Sequence, residues 1–160
     1  MQFRIRTLAL GSAFAILAPA GTLSAQTVDP SIGTWTLEVA KSTFKPGPAP
    51  KSVTVTFATV DEGTKVEAKI VAADGASTET RYTAKYDGKD YPVTGSADYD
   101  VVSVKRIDAT TRETTRKMGG KVVQTVWAVV SNDGKVLTVK TKGTNAKGEK
   151  IDNVAVYQKA

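Results

Sequence analysis

The segment that most constrains the fold of this chain lies between residues 119 and 157 of its 160 residues. It contains three runs rich in valine and threonine, which are joined by the turns SNDGK and TNAKGE. Runs of β-branched residues separated by short glycine-containing turns are typical of antiparallel hairpins. The segment therefore predicts three consecutive antiparallel strands, and the same pattern recurs upstream.

Two upstream runs alternate apolar and polar residues on either side of a turn at residues 61–63. A strand sends successive side chains to opposite faces, so one face of each run is apolar. The predicted inner face carries Val53, Val55, Phe57, Val66, Ala68 and Ile70. Further turns are indicated at Asp74 and Asp87, and Pro92 marks the segment that follows as a strand end or edge.

The spacing of the turns indicates the architecture. Turn signals recur roughly every 10 to 14 residues, as in an up-and-down meander rather than a βαβ array. An open sheet of this length would leave two strand edges unpaired and its inner face uncovered, and closure removes both problems. The sequence therefore predicts an all-β domain, an antiparallel up-and-down β-barrel of about 8–10 strands.

The amino terminus has the features of a secretory signal peptide. Arg4 and Arg6 precede an apolar run over residues 8–17, which is shorter than the roughly 20 apolar residues that span a bilayer. Small residues follow, and we expect cleavage after Ala20 or Ala25. The predicted boundaries are a signal peptide over residues 1–25, a linker over 26–31 and one barrel domain over 32–160. Such a protein is periplasmic or secreted.

Composition excludes several classes of function. Loss of Arg4 and Arg6 lowers the formal net charge from +6 to +4, which is weaker than the basic clustering of a nucleic-acid-binding protein. The chain contains no cysteine and no histidine, so thiol and imidazole nucleophilic systems, thiolate or imidazole metal sites and histidine-ligated haem are excluded. We predict a monomer that is not an enzyme and uses no metal or cofactor.

Two groups of charged residues are candidate sites. The first is acidic and contains Asp87, Asp90, Asp98 and Asp100, whose spacing matches no calcium loop, so we interpret these residues as turn formers and solvated side chains. The second is basic and falls on one predicted hairpin, with Lys105, Arg106, Arg112, Arg116, Lys117 and Lys121. This hairpin either presents outward charge that protects a strand edge or contacts an anionic surface or ligand.

Several short motifs resemble those of the calycin group, which includes lipocalins and intracellular fatty-acid-binding proteins. They are Gly33-x-Trp35 and the ending VAVYQKA, and residues 119–138 resemble the last strands of the fatty-acid-binding branch. Residues 40–48, 86–95 and 142–145 are similar to small exported bacterial lipocalin-like proteins. The resemblance implies a closed barrel that holds an apolar ligand inside.

The chain also departs from the fatty-acid-binding pattern. That family holds a ligand carboxylate with an arginine two residues before a tyrosine of the last strand; Tyr157 matches, but Ala155 stands at the arginine position. A second internal arginine of the family would fall near Trp127 or Ala128 and is missing too. Residues 39–51 are too short and too rich in proline for the two lid helices of that family. A more neutral apolar ligand, or none, is therefore implied.

We therefore predict an exported, non-catalytic, lipocalin-like binding protein for a small, largely apolar ligand. Trp35 is expected at the barrel base, and small inner residues are expected to leave space for a ligand. The predicted ligand-binding residues are Phe57, Ile70, Tyr82, Trp127 and Tyr157. The small residues are Ala68, Ala84, Asn153 and Ala155. The alternative is a cell-envelope interaction module with a packed barrel, whose basic hairpin contacts an anionic membrane surface.

Overall fold

The computed structural model describes residues 28–160 as ten β-strands in one closed barrel. The predicted signal peptide, at 1–25, and the first residues of the predicted linker lie outside the described residues. The strands are β1 (Gly33–Leu37), β2 (Ser52–Val60), β3 (Gly63–Val71), β4 (Ser77–Ala84), β5 (Asp87–Thr94), β6 (Val101–Arg106), β7 (Thr111–Met118), β8 (Lys121–Val130), β9 (Val136–Thr144) and β10 (Lys150–Lys159).

Each strand pairs antiparallel with the strand before it and the strand after it. The ring closes where β1 pairs with β10, from Trp35 opposite Lys159 to Leu37 opposite Tyr157. The predicted all-β, up-and-down, calycin-like barrel is thereby confirmed. Within residues 28–160 the one helical element is a 3₁₀ turn at Val39–Lys41, so this part of the chain has no lid helices, as expected. None of its helices is long and apolar enough to cross a lipid bilayer.

The predicted inner face of β2 and β3 is confirmed. The register places Val55 opposite Ala68 and Phe57 opposite Val66, so the apolar residues of the two strands share one face. All six predicted residues line the interior of the barrel. Trp35 is fully buried near the end of the barrel that the amino-terminal segment covers, and its Nε1 donates a 2.8 Å hydrogen bond to the Ser31 carbonyl.

Pro92 explains the weakest junction in the ring. It lies inside β5, where β4 and β5 pair at only two positions, Arg81 with Thr94 and Tyr82 with Val93. The Val93 N–H points towards β6, since it donates to the Asp100 carbonyl, so the preceding position faces β4. A proline there has no N–H to donate, which shortens the ladder.

The segment before β1 closes one end of the barrel. Residues 28–31 belong to the predicted linker, and within it Asp29 contacts the barrel through its carboxylate. Its Oδ1 accepts hydrogen bonds from the Ser31 N–H and hydroxyl, and its Oδ2 accepts from the Tyr86 hydroxyl and, at 2.7 Å, from Arg106. We call this end, capped by residues 28–32, the base. Asp29 therefore fixes this segment against the barrel.

The environment of Asp29 changes its ionisation. Burial alone raises the pKa of its carboxyl group. Hydrogen bonds from Tyr86 and Ser31, together with the charge of Arg106, outweigh that effect and leave the pKa below its usual value. The charged form of Asp29 is therefore favoured in the folded state.

We expect Asp29→Asn to lower the free energy of unfolding at neutral pH by about 1–3 kcal/mol, because it removes the charge that Arg106 contacts. Since folding lowers this pKa, the stabilisation is present above about pH 4 and is lost as the pH falls through the folded value. Urea unfolding of both proteins across this range measures the difference, which should close at low pH.

Asp61→Asn serves as the control, because Asp61 is an exposed residue of the β2–β3 turn. We expect this change to alter the free energy of unfolding by no more than about 0.5 kcal/mol. A difference between wild type and Asp29→Asn that stays constant down to acid pH would contradict the role given to the Asp29 charge.

Candidate ligand-binding cavity

The barrel encloses a cavity of about 730 Å³. This volume lies within the range of small-molecule sites, about 300–1,000 Å³. The cavity extends to the end opposite the base, where exposed residues of three loops line it, namely Pro48, Asp74 and Lys147. We call this end the mouth. The packed interior of the alternative hypothesis is therefore wrong.

Four of the five predicted ligand-binding residues meet at this cavity. Phe57 of β2, Ile70 of β3, Tyr82 of β4 and Tyr157 of β10 all line it. The small residues Ala68, Asn153 and Ala155 line it too, as predicted, whereas Ala84 borders a small recess beside it. Whether these residues bind a ligand stays a prediction.

Trp127 is the exception, and its predicted position in the lining is wrong. Its neighbours Val126 and Ala128 are buried and line the cavity, so alternation along β8 places Trp127 on the outer face. There its Nε1 donates a 2.9 Å hydrogen bond to Glu113, which lies directly opposite on β7. Both faces of β8 carry apolar residues in the sequence. A large aromatic side chain alone therefore does not indicate which face of β8 lies inside the barrel.

The structure also corrects the prediction that the basic residues of this hairpin face outward, because Arg112 and Arg116 point into the barrel. They line the cavity on either side of Thr114, which is buried. The Arg112 guanidinium lies 4.1 Å from the centroid of the Phe57 ring, and that of Arg116 lies 4.3 Å from the centroid of Tyr99. The interior thus contains two arginines. They lie on β7 and not at the positions where the fatty-acid-binding family has its internal arginines. The alternation Arg-x-Thr-x-Arg was the signal that sequence reasoning overlooked.

The remaining charge of the hairpin is dispersed. Arg106 pairs with Asp29 at the base, and the Lys117 ammonium donates hydrogen bonds of 2.8 and 2.9 Å to the two carboxylate oxygens of Asp90. The six basic residues therefore do not form one continuous outward ribbon.

Arg116 is held by a local irregularity in the wall. Between Arg116 and Lys117 the register of β7 with β8 shifts, because β8 has one extra residue, Val123. Such bulges redirect neighbouring side chains. Gly143 of β9 allows the close approach, since a Cβ atom at this position would lie 2.0 Å from the Val123 carbonyl oxygen. The bulge positions Gln124 beside Arg116.

Gln124 is the one hydrogen-bond partner that the structure gives the Arg116 guanidinium within residues 28–160. Arg116 Nη1 donates to Gln124 Oε1 at 2.9 Å, and Gln124 Nε2 donates to the Thr144 carbonyl at 3.1 Å. Arg116 Nε is buried and has no acceptor. The guanidinium is therefore fixed in place while its hydrogen-bonding capacity is not satisfied.

The Tyr82 and Tyr157 hydroxyls stay protonated at neutral pH, because burial raises the pKa of both. Burial raises the pKa of Tyr157 to about 12, with Arg116 acting to lower it and Tyr99 to raise it further. Burial also raises the pKa of Tyr82, against the charge of Arg112. These hydroxyls are therefore hydrogen-bond donors rather than bases.

The four aspartates between residues 87 and 100 do not form a shared site. Their partners are the Lys89 N–H and the Tyr91 hydroxyl for Asp87, the Lys117 ammonium for Asp90, the Ala146 N–H for Asp98 and the Gly119 N–H for Asp100. Each carboxylate contacts a turn or a neighbouring strand, and Asp90 forms an ion pair rather than facing solvent alone.

Comparisons with known proteins add little to this description. No protein-family profile matches the sequence, and no curated protein is significantly similar to it. Among solved structures, the chain is similar to zebrafish ileal bile acid-binding protein complexed with cholic acid. The sequences are 9% identical, the similarity covers 82% of this chain and 99% of that one, and the TM-score is 0.45. A similarity at this level carries no conclusion about a ligand. Strand topology and the internal cavity together define a calycin-like barrel.

We expect the free energy of unfolding of Tyr157→Phe to fall less than that of the wild type as the pH becomes alkaline. Because the folded pKa of Tyr157 lies above the value of about 10 for an unfolded tyrosine, its contribution is present below pH 10 and is lost as the pH rises towards 12. The wild type should lose about 2–3 kcal/mol more than the variant over this interval. Urea unfolding at a series of alkaline pH values measures the difference, and parallel curves would contradict the burial of this hydroxyl.

Proposed function

We propose that this protein binds a small, largely apolar molecule inside its barrel and does not catalyse a reaction. The observation that supports this proposal is the 730 Å³ cavity and the character of its lining. Most of the wall is apolar, with Val53, Val55, Val66, Ile70, Leu137 and Val139 among the residues that face the cavity. An apolar wall with a few polar groups is the usual composition of a small-molecule site.

The small residues of the wall explain why the space remains. Ala68 of β3, Ala128 of β8 and Ala155 of β10 face the interior. Larger apolar side chains at these positions would fill the barrel and add packing contacts, as in a protein whose interior serves stability alone. The small residues are therefore consistent with a binding role for the interior.

Export and a monomeric state belong to the same proposal. The charge and apolar pattern of residues 1–25 supports export to the periplasm or the medium. A closed ring of strands supports a monomer, because it leaves no unpaired strand edge for a second copy to extend.

The alternative, an envelope module that contacts anionic surfaces, has less support. Two of the six hairpin cations face the interior, and two more pair with Asp29 and Asp90. Their positive charge is therefore not available as one surface patch, and no observation favours this function over ligand binding.

The proposal is tested by narrowing the cavity with Ala68→Trp. The probe is N-phenyl-1-naphthylamine, a neutral apolar dye whose fluorescence rises on leaving water. We expect the wild type to bind it saturably and Ala68→Trp to bind it about fivefold more weakly or worse, because the indole occupies the space of the ligand. Fluorescence titration at constant protein concentration measures both affinities.

Lys69→Trp is the matched control, since Lys69 is the next residue of β3 and is exposed on the outer face. We expect its affinity for the dye to stay within about twofold of wild type. No saturable binding by the wild type, or equal loss in both variants, would overturn the proposed function. Salt-sensitive binding to phosphatidylglycerol vesicles without dye binding would favour the envelope module instead.

A further inference from the structure

We propose that the ligand is an anionic amphiphile, whose negatively charged group is bound by Arg116 below the mouth while its apolar part occupies the deeper cavity. The charged group is a carboxylate, sulfonate or phosphate ester, which present the same chemistry to a guanidinium. This inference rests on the proposed function and specifies the chemical class of the ligand.

The first argument is the charge of the cavity wall. Arg112 and Arg116 both line the cavity, and neither forms an ion pair with a carboxylate of residues 28–160. Asp29 at the base pairs with Arg106, and the mouth loops add Asp74, Asp98 and Lys147 to the lining. A partly buried cation without a counter-ion is unfavourable, because attraction does not offset its desolvation. An anion in the cavity would supply the missing charge.

The second argument is the way Arg116 is held. The ring of Tyr99 supports its guanidinium from one side, and Gln124 accepts from Nη1. These contacts fix the orientation of the group before any ligand arrives, which lowers the entropic cost of binding. Gln124 is neutral, so the contact leaves the positive charge available to an anion.

The Tyr99 hydroxyl completes the polar surroundings. Tyr99 lines the cavity, and the centroid of its ring lies 4.3 Å from the Arg116 guanidinium. A tyrosine hydroxyl can donate a hydrogen bond to an anion that the guanidinium attracts. We define Arg116 and Tyr99 as the anion subsite. Tyr157 lies deeper in the barrel, because its partner across the β9–β10 ladder is Leu137.

The position of the subsite sets the orientation of the ligand. Arg116 lies two residues before the end of β7 at Met118, beside the β7–β8 turn at the mouth. The deeper wall is apolar and contains Phe57, Val66 and Leu137. A ligand with its charge at the mouth and its apolar part towards the base therefore matches both regions.

The experiment uses two dyes that differ in charge. The anionic dye is 8-anilinonaphthalene-1-sulfonate, and the neutral one is N-phenyl-1-naphthylamine, which lacks the sulfonate. We expect Arg116→Met to weaken binding of the anionic dye about tenfold or more, because methionine keeps an unbranched apolar stem but removes the charge. Binding of the neutral dye should change by less than about twofold. The folded state of the variant is checked by circular dichroism.

Arg81→Met is the matched control. Arg81 is half-exposed on the outer face of β4 and pairs with Glu67 and Glu79, so its loss removes the same net charge outside the cavity. We expect it to change the affinity for either dye by less than about twofold. Equal weakening of anionic-dye binding by Arg81→Met and Arg116→Met would overturn the subsite, since the effect would then come from net charge alone.

A measurement on the wild type keeps the inference testable if Arg116→Met does not fold. Decanoate and decanol, which share an alkyl chain, are compared as competitors of the bound neutral dye. We expect decanoate to displace the dye at about tenfold lower concentration. Equal displacement by the two competitors would overturn the anion subsite and leave the apolar site intact. If the wild type binds neither dye, the proposed function fails together with this inference.

Discussion

The hydrogen bonds between β1 and β10 are the contact on which the rest of the structure depends. Without them the ten strands would form an open meander, with two unpaired edges and an inner face exposed to water. With them, every strand has two neighbours and the inner side chains surround one enclosed volume. The bond from Trp35 to the Ser31 carbonyl and the contacts of Asp29 then close the base of this volume. The cavity therefore follows from ring closure together with small inner residues.

Much of the fold could be predicted from the sequence, because period-two alternation and glycine turns are local signals. Val53 to Ile70 show this, since their inner face appears in the structure as expected. The position of Trp127 could not be predicted, because both faces of β8 are apolar and alternation alone does not say which is inside. Asp29 forms the cap by contacting Tyr86 and Arg106, which are separated from it by 57 and 77 positions in sequence. No local pattern encodes such a contact. Of the candidate site, the apolar wall was therefore predictable and the base was not.

The arginines illustrate a different limit. Arginine is found mostly on protein surfaces, and this expectation outweighed the alternation of Arg112, Thr114 and Arg116 along β7. The structure follows the alternation, so the strand period is a stronger constraint here than the residue type. Stacking of Arg112 on Phe57 and of Arg116 on Tyr99 gives each guanidinium a favourable aromatic contact inside the barrel. The interior is consequently less apolar than the sequence interpretation held, because two guanidinium groups face it.

The short ladder at Pro92 has a mechanical consequence for the barrel. Strands β4 and β5 pair at two positions, which is fewer than at any other junction in the ring. Separation of these two strands disrupts less backbone pairing than separation of any other pair, so we expect the barrel to open there first. We expect the opposite side, around the long β8–β9–β10 ladders, to be more rigid, so that the internal volume can adapt on one side only.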